Sequence, residues 1–337
     1  MTIGWGIVGI GRHADACMAP AIVQAKDAEL IAVCSRDESR AAAFVAKHGA
    51  RRSYDDFKAM LRDDTIDVVY VSTPNNLHTA QTIEAGQAGK HVLCEKPMAI
   101  SVIDCERMVE SCQKNGVKLG VAFQNRHHPA HVEAKRLIAA GTVGNIVMGM
   151  AEYSRFLGTR PSRGWRGDPV MAGAGTLMGM AVHPLDLLRF LVGQEVDTVE
   201  AMTDELPPQR PLDETVLALL RFQGGAYGTA VSSRHSSHPA NDVVIYGTKG
   251  TIRGAGTVGI RLVGRLEIAA DGPVSALDFP CDDPVTGTYL LLVESFNRSI
   301  REDTEPNASG YDGLEMARIA EAVLDSSRKG KAVRILR

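Results

Sequence analysis

The N-terminus carries the feature that most constrains the fold, a strand-like apolar run that leads directly into a glycine-rich turn. The run Ile3–Val8 is followed by a G-x-G-x-x-A pattern that ends at Ala14 and opens a helix. In such a turn the first glycine permits the sharp bend, and the second leaves room for a pyrophosphate beside the backbone. The helix N-terminus adds N–H groups and positive potential. We therefore predict a dinucleotide-binding turn, the alternative being a tight turn that binds no ligand; its residues are Gly9, Ile10, Gly11, Arg12 and His13.

Short apolar runs alternate with amphipathic stretches through the first third of the chain, as in βαβ units on a parallel sheet. After about residue 124 the strands lengthen, alternate with period two and are joined by short glycine turns, as in an antiparallel sheet. The predicted fold is α/β with two domains. A Rossmann parallel sheet spans residues 1–123, and an α/β domain with a large, open, mainly antiparallel sheet spans residues 124–337.

The individual elements follow from the same patterns. Strands are predicted at Ile3–Val8, Glu29–Cys34, Asp67–Ser72, His91–Cys94, Val117–Phe123, Ile146–Phe156, Thr198–Asp204, Thr215–Phe222, Tyr227–Ser233 and Val243–Tyr246. Helices are predicted at Ala14–Ala25, Glu38–His48, Asn76–Ala88, Val102–Asn115, Pro129–Ala140, Pro184–Leu191, Tyr289–Arg301 and Gly313–Arg328. The stretch Leu206–Pro211 is predicted as a loop.

Charge and composition exclude several classes of partner. A formal net charge of -3 argues against a general attraction to nucleic acid or to an anionic membrane, and no apolar run is long enough to span a bilayer. The N-terminus resembles no cleavable signal, so we expect a cytoplasmic protein. The cysteines form no C-x-x-C pair, so neither a metal site nor a disulfide framework is predicted. They are Cys17, Cys34, Cys94, Cys105, Cys112 and Cys281.

The tip of the second strand indicates which nucleotide is bound. An NAD site usually has an acid at this position, where it binds the ribose 2′-OH. Here the tip has Ser35 and Arg36, with Arg40 one turn into the next helix. A hydroxyl followed by two guanidinium groups suits a 2′-phosphate, which arginine can grip with paired hydrogen bonds. The pattern favours NADP(H), while Asp37 keeps NAD(H) possible.

Two further strand ends carry polar motifs where open α/β sheets bind ligands. The third strand of the pattern ends in Ser72-Thr73-Pro74, with Asn76 and His78 just beyond, and the fourth ends in Glu95-Lys96-Pro97. With the glycine turn and a later segment containing His183 and Asp186, these motifs resemble the glucose-fructose oxidoreductase/inositol dehydrogenase (GFO/IDH/MocA) family. The resemblance covers nearly the whole chain.

The resemblance implies a cofactor in the cleft between two domains, with Lys96 and His183 at the reacting carbonyl and a cis Lys96–Pro97 bond. Hydride transfer creates an alkoxide, so a cationic hydrogen-bond donor and a proton source are chemically appropriate. The resemblance also places Trp165 and Arg166 near the nicotinamide. It places Arg126 near cofactor or substrate, although a structural role for Arg126 stays equally open. Asp186 either orients His183 or faces solvent.

One position departs from the family pattern. Members that act on sugars commonly carry an aspartate four residues before the histidine, and this chain has Gly179 there. The resemblance implies an oxidoreductase for a sugar, anhydro-sugar or inositol-like substrate, assembled as a homodimer or homotetramer. Gly179 would then line the substrate site together with Lys96, Arg126 and His183. Two other functions stay open. One is a cofactor-binding sensor without turnover, and the other is a lyase or glycosidase that uses bound NAD transiently.

Overall fold

The structure is a computed structural model that describes residues 2–158, 162–204, 212–270 and 272–337. The loop predicted at Leu206–Pro211 therefore lies outside the described residues. The chain divides into two compact units, each built from two stretches of sequence. The first unit comprises residues 1–124 and 285–314, and the second comprises residues 125–284 and 315–337.

The strands are numbered in chain order. They are β1 Ile3–Val8, β2 Ala28–Cys34, β3 Arg52–Tyr54, β4 Val68–Val71, β5 His91–Cys94, β6 Leu119–Val121, β7 Ile146–Glu152, β8 Val196–Thr203, β9 Thr215–Phe222, β10 Tyr227–Ser233, β11 Val243–Gly247, β12 Gly250–Ala255, β13 Arg265–Ala270, β14 Ser275–Asp278 and β15 Val333–Arg334.

The helices are numbered in the same way. The α-helices are α1 Ala19–Gln24, α2 Glu38–His48, α3 Phe57–Leu61, α4 His78–Gln87, α5 Val102–Lys114, α6 Pro129–Ala139, α7 Pro169–Ala172, α8 Val182–Val192, α9 Gly287–Arg301 and α10 Gly310–Lys329. Two π-helical turns occupy Ala14–Met18 and Leu177–Ala181, and 3-10 turns occupy Asn75–Leu77, Gln124–His127 and Gly164–Gly167.

The first unit is a six-stranded parallel sheet in the order β3-β2-β1-β4-β5-β6, the order of a dinucleotide-binding Rossmann fold. Strands β1 and β4 are buried along their whole length, which explains why they are continuous apolar runs in the sequence. Since all six strands are parallel, the turns that follow β1, β2, β4 and β5 lie at the same edge of the sheet. This edge carries the glycine turn and the three polar motifs.

Helix α9 belongs to the first unit, although the sequence boundary at residue 124 had assigned it to the second domain. Its apolar face contributes Leu292, Val293 and Phe296 to the core of the first unit. The ring centroids of Trp5 and Phe296 lie 6.0 Å apart, and the Trp5 indole donates a hydrogen bond to Asn297 Oδ1 at 3.1 Å. The single-boundary prediction was wrong because these pairings join residues at opposite ends of the chain.

The second unit is a nine-stranded sheet in the order β14-β13-β12-β11-β7-β10-β9-β8-β15. Strands β7 and β10 are parallel, and the other paired neighbours are antiparallel. Helices α6 and α8 pack on one face. Helix α8 approaches strand β7 closely at Gly149, where an added Cβ would lie 2.8 Å from the Leu188 side chain. A mainly antiparallel sheet agrees with the prediction, although strands β12 to β15 had not been predicted.

Within the described ranges, none of the helices combines the length and the apolar character that a membrane crossing requires.

Candidate active site

The glycine turn joins β1 to the first π-helical turn, and its two glycines have different surroundings. Gly9 has φ +92°, and an added Cβ would lie 2.6 Å from the Ser72 carbonyl group after β4. Gly11 has no heavy atom within 4 Å of an added Cβ, so its outer side is open. Ile10 is buried, whereas Arg12 is exposed. The turn thus has the shape that a pyrophosphate needs, with a tight bend first and open space second.

The tip of β2 has its side chains arranged around the start of α2. Asp37 caps this helix, because its Oδ1 accepts hydrogen bonds from the Arg40 N–H at 3.0 Å and from the Ser39 hydroxyl at 2.8 Å. Ser35 is half-buried, and Arg36 is exposed. The exposed Arg40 also donates to the carbonyl oxygen of Ile10 at 3.2 Å, which ties α2 to the glycine turn. The carboxylate that kept NAD(H) possible is therefore engaged in capping the helix.

The segment after β4 is fastened by His78. This side chain is fully buried, and its Nδ1 and Nε2 lie 3.0 Å from the carbonyl oxygens of Pro97 and Thr73 respectively. Burial lowers the pKa of His78, against the opposing effect of these carbonyl groups. The histidine therefore joins the loop after β4 to the loop after β5. Ser72, Thr73 and Pro74 are half-buried beside the glycine turn, and Asn76 is exposed.

The segment after β5 places Glu95 and Lys96 at the same edge of the sheet. The Lys96–Pro97 peptide bond is cis, as the family resemblance implied. Glu95 Oε1 accepts a hydrogen bond from the Tyr70 hydroxyl at 2.6 Å, and Glu95 Oε2 accepts one from the Lys96 backbone N–H at 3.2 Å. Lys96 is half-buried. The β1-β4-β5 order places Lys96 at the same sheet edge as the glycine turn, two strands away.

His13 connects the glycine turn to this segment. Its Nε2 lies 3.3 Å from Glu95 Oε1, and its ring packs edge-on against Tyr289, with centroids 5.1 Å apart. Burial alone would lower the pKa of His13, but the charge of Glu95 raises it to about 9. Burial alone would raise the pKa of Glu95, but His13, Lys96 and Tyr70 lower it to about 2. At neutral pH the two side chains are an ion pair.

In the second unit, His183 lies one residue into α8 and directly after the second π-helical turn. Its side chain is 2% exposed, and its ring packs edge-on against Tyr153 with centroids 5.3 Å apart. Asp213 fixes the start of this turn, because its carboxylate accepts hydrogen bonds from the N–H groups of Gly175 at 2.7 Å and Leu177 at 2.6 Å. Asp213 was not predicted from the sequence, since it is remote from His183 along the chain.

Arg126 and Asp186 form a buried ion pair within the second unit. The guanidinium donates from Nη2 to Asp186 Oδ1 at 2.6 Å and from Nε to Oδ2 at 2.9 Å, and the two side chains are 4% and 1% exposed. The guanidinium also lies 5.3 Å from the centroid of the Phe190 ring. Of the alternatives that the sequence left open, the structure excludes a solvent-facing Asp186 and gives Arg126 a structural role on the helix that carries His183. Binding of cofactor or substrate by Arg126 stays a prediction.

The remaining predicted residues lie on open parts of the second unit. Trp165 and Arg166 share the 3-10 turn Gly164–Gly167, with the guanidinium 4.3 Å from the centroid of the indole ring. Trp165 is half-buried, and Arg166 is exposed. Gly179 lies in the π-helical turn four residues before His183, is exposed, and has nothing within 4 Å of an added Cβ. The position therefore has room for a larger side chain or for part of a ligand.

Comparison with known protein families gives one match in each of the two units. A family model described as "Oxidoreductase family, NAD-binding Rossmann fold" matches residues 3–123. A second model, described as "GFO/IDH/MocA C-terminal domain", matches residues 131–253. Together with the similarity along the chain to individual members, described next, these matches show that the protein belongs to the GFO/IDH/MocA family of oxidoreductases.

Individual relatives span almost the whole chain. The protein is 28% identical to the 1,5-anhydro-D-fructose reductase of Ensifer adhaerens, over 98% of both chains. It is 30% identical to a D-xylose 1-dehydrogenase (NADP(+)) of Haloferax volcanii, over 98% of this chain and 99% of that one. Among solved structures, levoglucosan dehydrogenase in complex with NADH superposes with a TM-score of 0.91 at 26% identity, and the match covers both chains fully.

Proposed function

We propose that this protein is an NADP(H)-dependent oxidoreductase that transfers a hydride between the nicotinamide and a carbonyl or alcohol carbon of a sugar, anhydro-sugar or inositol-like substrate. The observation that carries the proposal is the common sheet edge in the first unit. The glycine turn after β1 and Lys96 after β5 lie at this edge, and the His13–Glu95 pair joins them. The substrate class is supported by the relatives reported above, whose names give sugars or anhydro-sugars as their substrates.

The residues of the first unit fit a nicotinamide dinucleotide. The open side of Gly11 gives a pyrophosphate access to the backbone at the start of a helix, where N–H groups and positive potential favour an anion. When bound, the nicotinamide supplies or accepts the hydride. We assign the rest of the binding surface to the residues predicted from the sequence, with His78 holding the loops after β4 and β5 that carry several of them. In the first unit they are Gly9, Ile10, Arg12, His13, Ser35, Arg36, Arg40, Ser72, Thr73, Pro74, Asn76, Glu95 and Pro97; in the second unit they are Trp165 and Arg166.

The acid–base chemistry is assigned to Lys96 and His183. In the reducing direction the substrate oxygen gains negative charge, and the Lys96 ammonium donates a hydrogen bond to that oxygen and then a proton. In the oxidising direction the neutral amine accepts the proton from the alcohol. His183 is proposed as the second acid–base group, held in place by the packing of Tyr153 and by the turn that Asp213 caps. Gly179 leaves room for a substrate group beside it.

The preference for NADP(H) rests on the tip of β2. Asp37 caps α2, while Ser35 and Arg36 remain at the surface beside Arg40. A 2′-phosphate would receive charge-assisted hydrogen bonds from arginine there, and a 2′-OH would gain much less.

Binding measurements test this preference. The Arg36→Ala variant should bind NADPH roughly 10- to 150-fold more weakly, since a charged hydrogen bond contributes about 1.5–3 kcal/mol, and its NADH affinity should change little. The matched control is Arg62→Ala, which removes another exposed arginine of the same unit. Equal losses for both nucleotides, or wild-type protein that binds NADH as tightly as NADPH, would refute the preference.

Turnover distinguishes the proposed enzyme from the other two functions. Purified protein with NADPH or NADP⁺ and a panel of ketoses, aldoses, anhydro-sugars and inositols should change absorbance at the reduced-nicotinamide band. The signal should disappear in Lys96→Ala while nucleotide binding persists. Product release without net change of cofactor would instead identify a lyase or glycosidase, and binding without any turnover would identify a sensor.

We also propose that the protein forms a homodimer or homotetramer through the uncovered face of the nine-stranded sheet. This face lies opposite α6 and α8, and it exposes large apolar side chains on neighbouring strands. They are Met150, Met202, Leu217, Leu219, Tyr227 and Tyr246. A contiguous apolar patch of this kind is unusual for a monomer.

A further inference from the structure

The pairing of His13 with Glu95 joins two parts of the proposed site, but nothing in the function proposed above explains its charge. A dinucleotide-binding turn needs backbone N–H groups and small residues, and that requirement does not call for a histidine cation. His13 nevertheless directs its ring toward Glu95 at the end of β5. Its side chain is 29% exposed and that of Glu95 is 12% exposed, so the pair is largely removed from solvent.

Glu95 is engaged through both carboxylate oxygens. Oε1 receives the Tyr70 hydroxyl at 2.6 Å and faces His13 Nε2 at 3.3 Å, while Oε2 receives the Lys96 N–H at 3.2 Å. The carboxylate is therefore fixed in position immediately before the proposed acid–base residue. In such a partly buried place the charge of a neighbouring carboxylate acts strongly on a lysine, because screening by water is weak.

We propose that His13 is a positioning residue that balances the charge of Glu95, so that Lys96 lies beside a neutral ion pair and not beside a lone carboxylate. The inference rests on the proposed function, in which Lys96 is the acid and base. A lone carboxylate would stabilise the ammonium form and hinder the lysine from giving up its proton. The imidazolium of His13 offsets that effect without touching the substrate.

The charged state of the pair agrees with this role. Although burial disfavours a charge on either group, their mutual attraction raises the pKa of His13 to about 9 and lowers that of Glu95 to about 2. Both are therefore ionised throughout the physiological range. The other titratable groups that face the pair come from four elements and are Cys17, Tyr70, His78, Lys96 and Tyr289. Burial lowers the pKa of His78 and raises that of Tyr70 well above its ordinary value, so neither adds a charge at neutral pH.

A double-mutant cycle on the full-length protein, without cofactor, tests the proposal. Glu95→Gln keeps the shape and removes the negative charge, and His13→Gln removes the cation. The readout is the fraction of neutral amine at Lys96 near neutral pH, where His13 carries its charge, measured as the rate at which an amine-acylating reagent modifies Lys96, followed by peptide mass spectrometry with Lys96→Arg as the blank. This readout requires no turnover, and a purely structural role of His13 would not move it in the pattern expected here.

The cycle has a definite expected outcome. In the His13→Gln background, adding Glu95→Gln should raise the rate of Lys96 modification near neutral pH about 10-fold, the change expected when one nearby charge is removed. In the presence of His13, Glu95→Gln should change that rate by less than about 3-fold, because both charges disappear together. In separate histidine-detected spectra, His13 should titrate near pH 9 in the wild type and at or below its ordinary value in Glu95→Gln.

A control and the contrary results complete the test. Lys47→Gln removes an exposed cation that pairs with Asp15 in the same unit, and it should leave the rate of Lys96 modification near neutral pH unchanged. Equal effects of Glu95→Gln in both backgrounds, or a wild-type His13 that titrates at its ordinary value, would overturn the proposal. If the cycle behaves as expected but the protein binds no nicotinamide nucleotide, the proposed function fails and the charge balance stands.

Discussion

At the scale of single residues, the two glycines of the turn are required for different reasons. Gly9 combines a positive φ with a close approach to the backbone after β4, and Gly11 borders open space. Gly9→Ala should therefore destabilise the folded protein by more than about 1 kcal/mol, because the added methyl has no room and the backbone conformation is strained. Gly11→Ala should leave the folding stability nearly unchanged and weaken the binding of nicotinamide nucleotides.

Chemical denaturation and nucleotide titration of both variants measure this contrast. Each variant serves as the control for the other, since the chemical change is the same. A Gly11→Ala protein that binds NADPH as tightly as the wild type would show that no pyrophosphate approaches this position.

The buried pair of Arg126 and Asp186 gives a second prediction at this scale. Asp186→Ala leaves a guanidinium buried without its carboxylate, which typically costs about 3–5 kcal/mol of unfolding free energy. The measurement is urea denaturation at neutral pH. The control is Glu133→Ala, which breaks an Arg–carboxylate pair of similar geometry whose Arg136 is 64% exposed, and its effect should stay below about 1 kcal/mol. Comparable losses in both variants would contradict the importance of burial.

The sequence predicted the residue types at the site better than their roles. Gly9 and Gly11 follow from a local pattern, because the turn depends on neighbours in the chain, and the cis Lys96–Pro97 bond followed from the family resemblance. For His78 and Arg126, which were predicted to bind ligand, the structure adds partners at Pro97 and Asp186 that no local pattern indicates. Burial and long-range pairing depend on the fold, so a single sequence does not reveal them.

At the scale of elements, the start of α6 is held by two neutral histidines. His131 donates from Nδ1 to the Asn125 carbonyl at 2.6 Å and accepts at Nε2 from the Thr257 hydroxyl at 2.8 Å. His128 accepts at Nδ1 from the Ala130 N–H at 3.1 Å and donates from Nε2 to the Val263 carbonyl at 3.0 Å. Each ring thus uses one nitrogen as donor and the other as acceptor. A proton added to either ring would break an accepted hydrogen bond.

This arrangement predicts sensitivity to acid. Burial lowers the pKa of His128 to about 4 and that of His131 to about 3. Their contribution to stability is therefore complete above the ordinary histidine pKa and is lost as the pH falls from about 6.5 toward those values, because the unfolded chain binds the protons first. The unfolding free energy of the wild type should decrease with falling pH more steeply than that of His131→Gln.

Urea denaturation at a series of pH values between neutral and mildly acidic measures the two slopes. His238→Asn provides the control, since His238 is exposed and asparagine tolerates its positive φ of 54°. The explanation fails if the His131→Gln slope equals that of the wild type, or if the control variant flattens the slope as much.

Elements with a strong local pattern were predicted well, and those without one were missed. Strands β9 and β10 have the predicted bounds, because a short glycine turn separates two runs that favour strands. Strands β12 and β14 were missed because they are short and contain glycine or exposed polar residues. The helix predicted at Ala14–Ala25 divides into a π-helical turn and α1, a difference that periodicity over so few residues does not resolve.

At the scale of the whole molecule, the uncovered sheet face predicts self-association. Leu219 is 56% exposed on this face, on β9, and a charge there would have to be buried in any interface that uses it. Leu219→Lys should therefore convert the oligomer into smaller species in light scattering coupled to size exclusion. Leu336→Lys is the control, because Leu336 is 84% exposed and lies outside the sheet. A wild-type monomer at micromolar concentration would contradict the prediction.

The return of α9 to the first unit affects the order in which the chain can fold. During synthesis the ribosome releases residues 125–284 before the helix Gly287–Arg301, so Trp5 can contact Phe296 and Asn297 only after most of the second unit has been made. The first unit therefore cannot complete its core before the second unit is synthesised, although N-terminal domains usually fold first. A nascent chain that stops before residue 285 leaves the indole of Trp5 without its covering helix, and such a fragment is an expected target for chaperones and proteases.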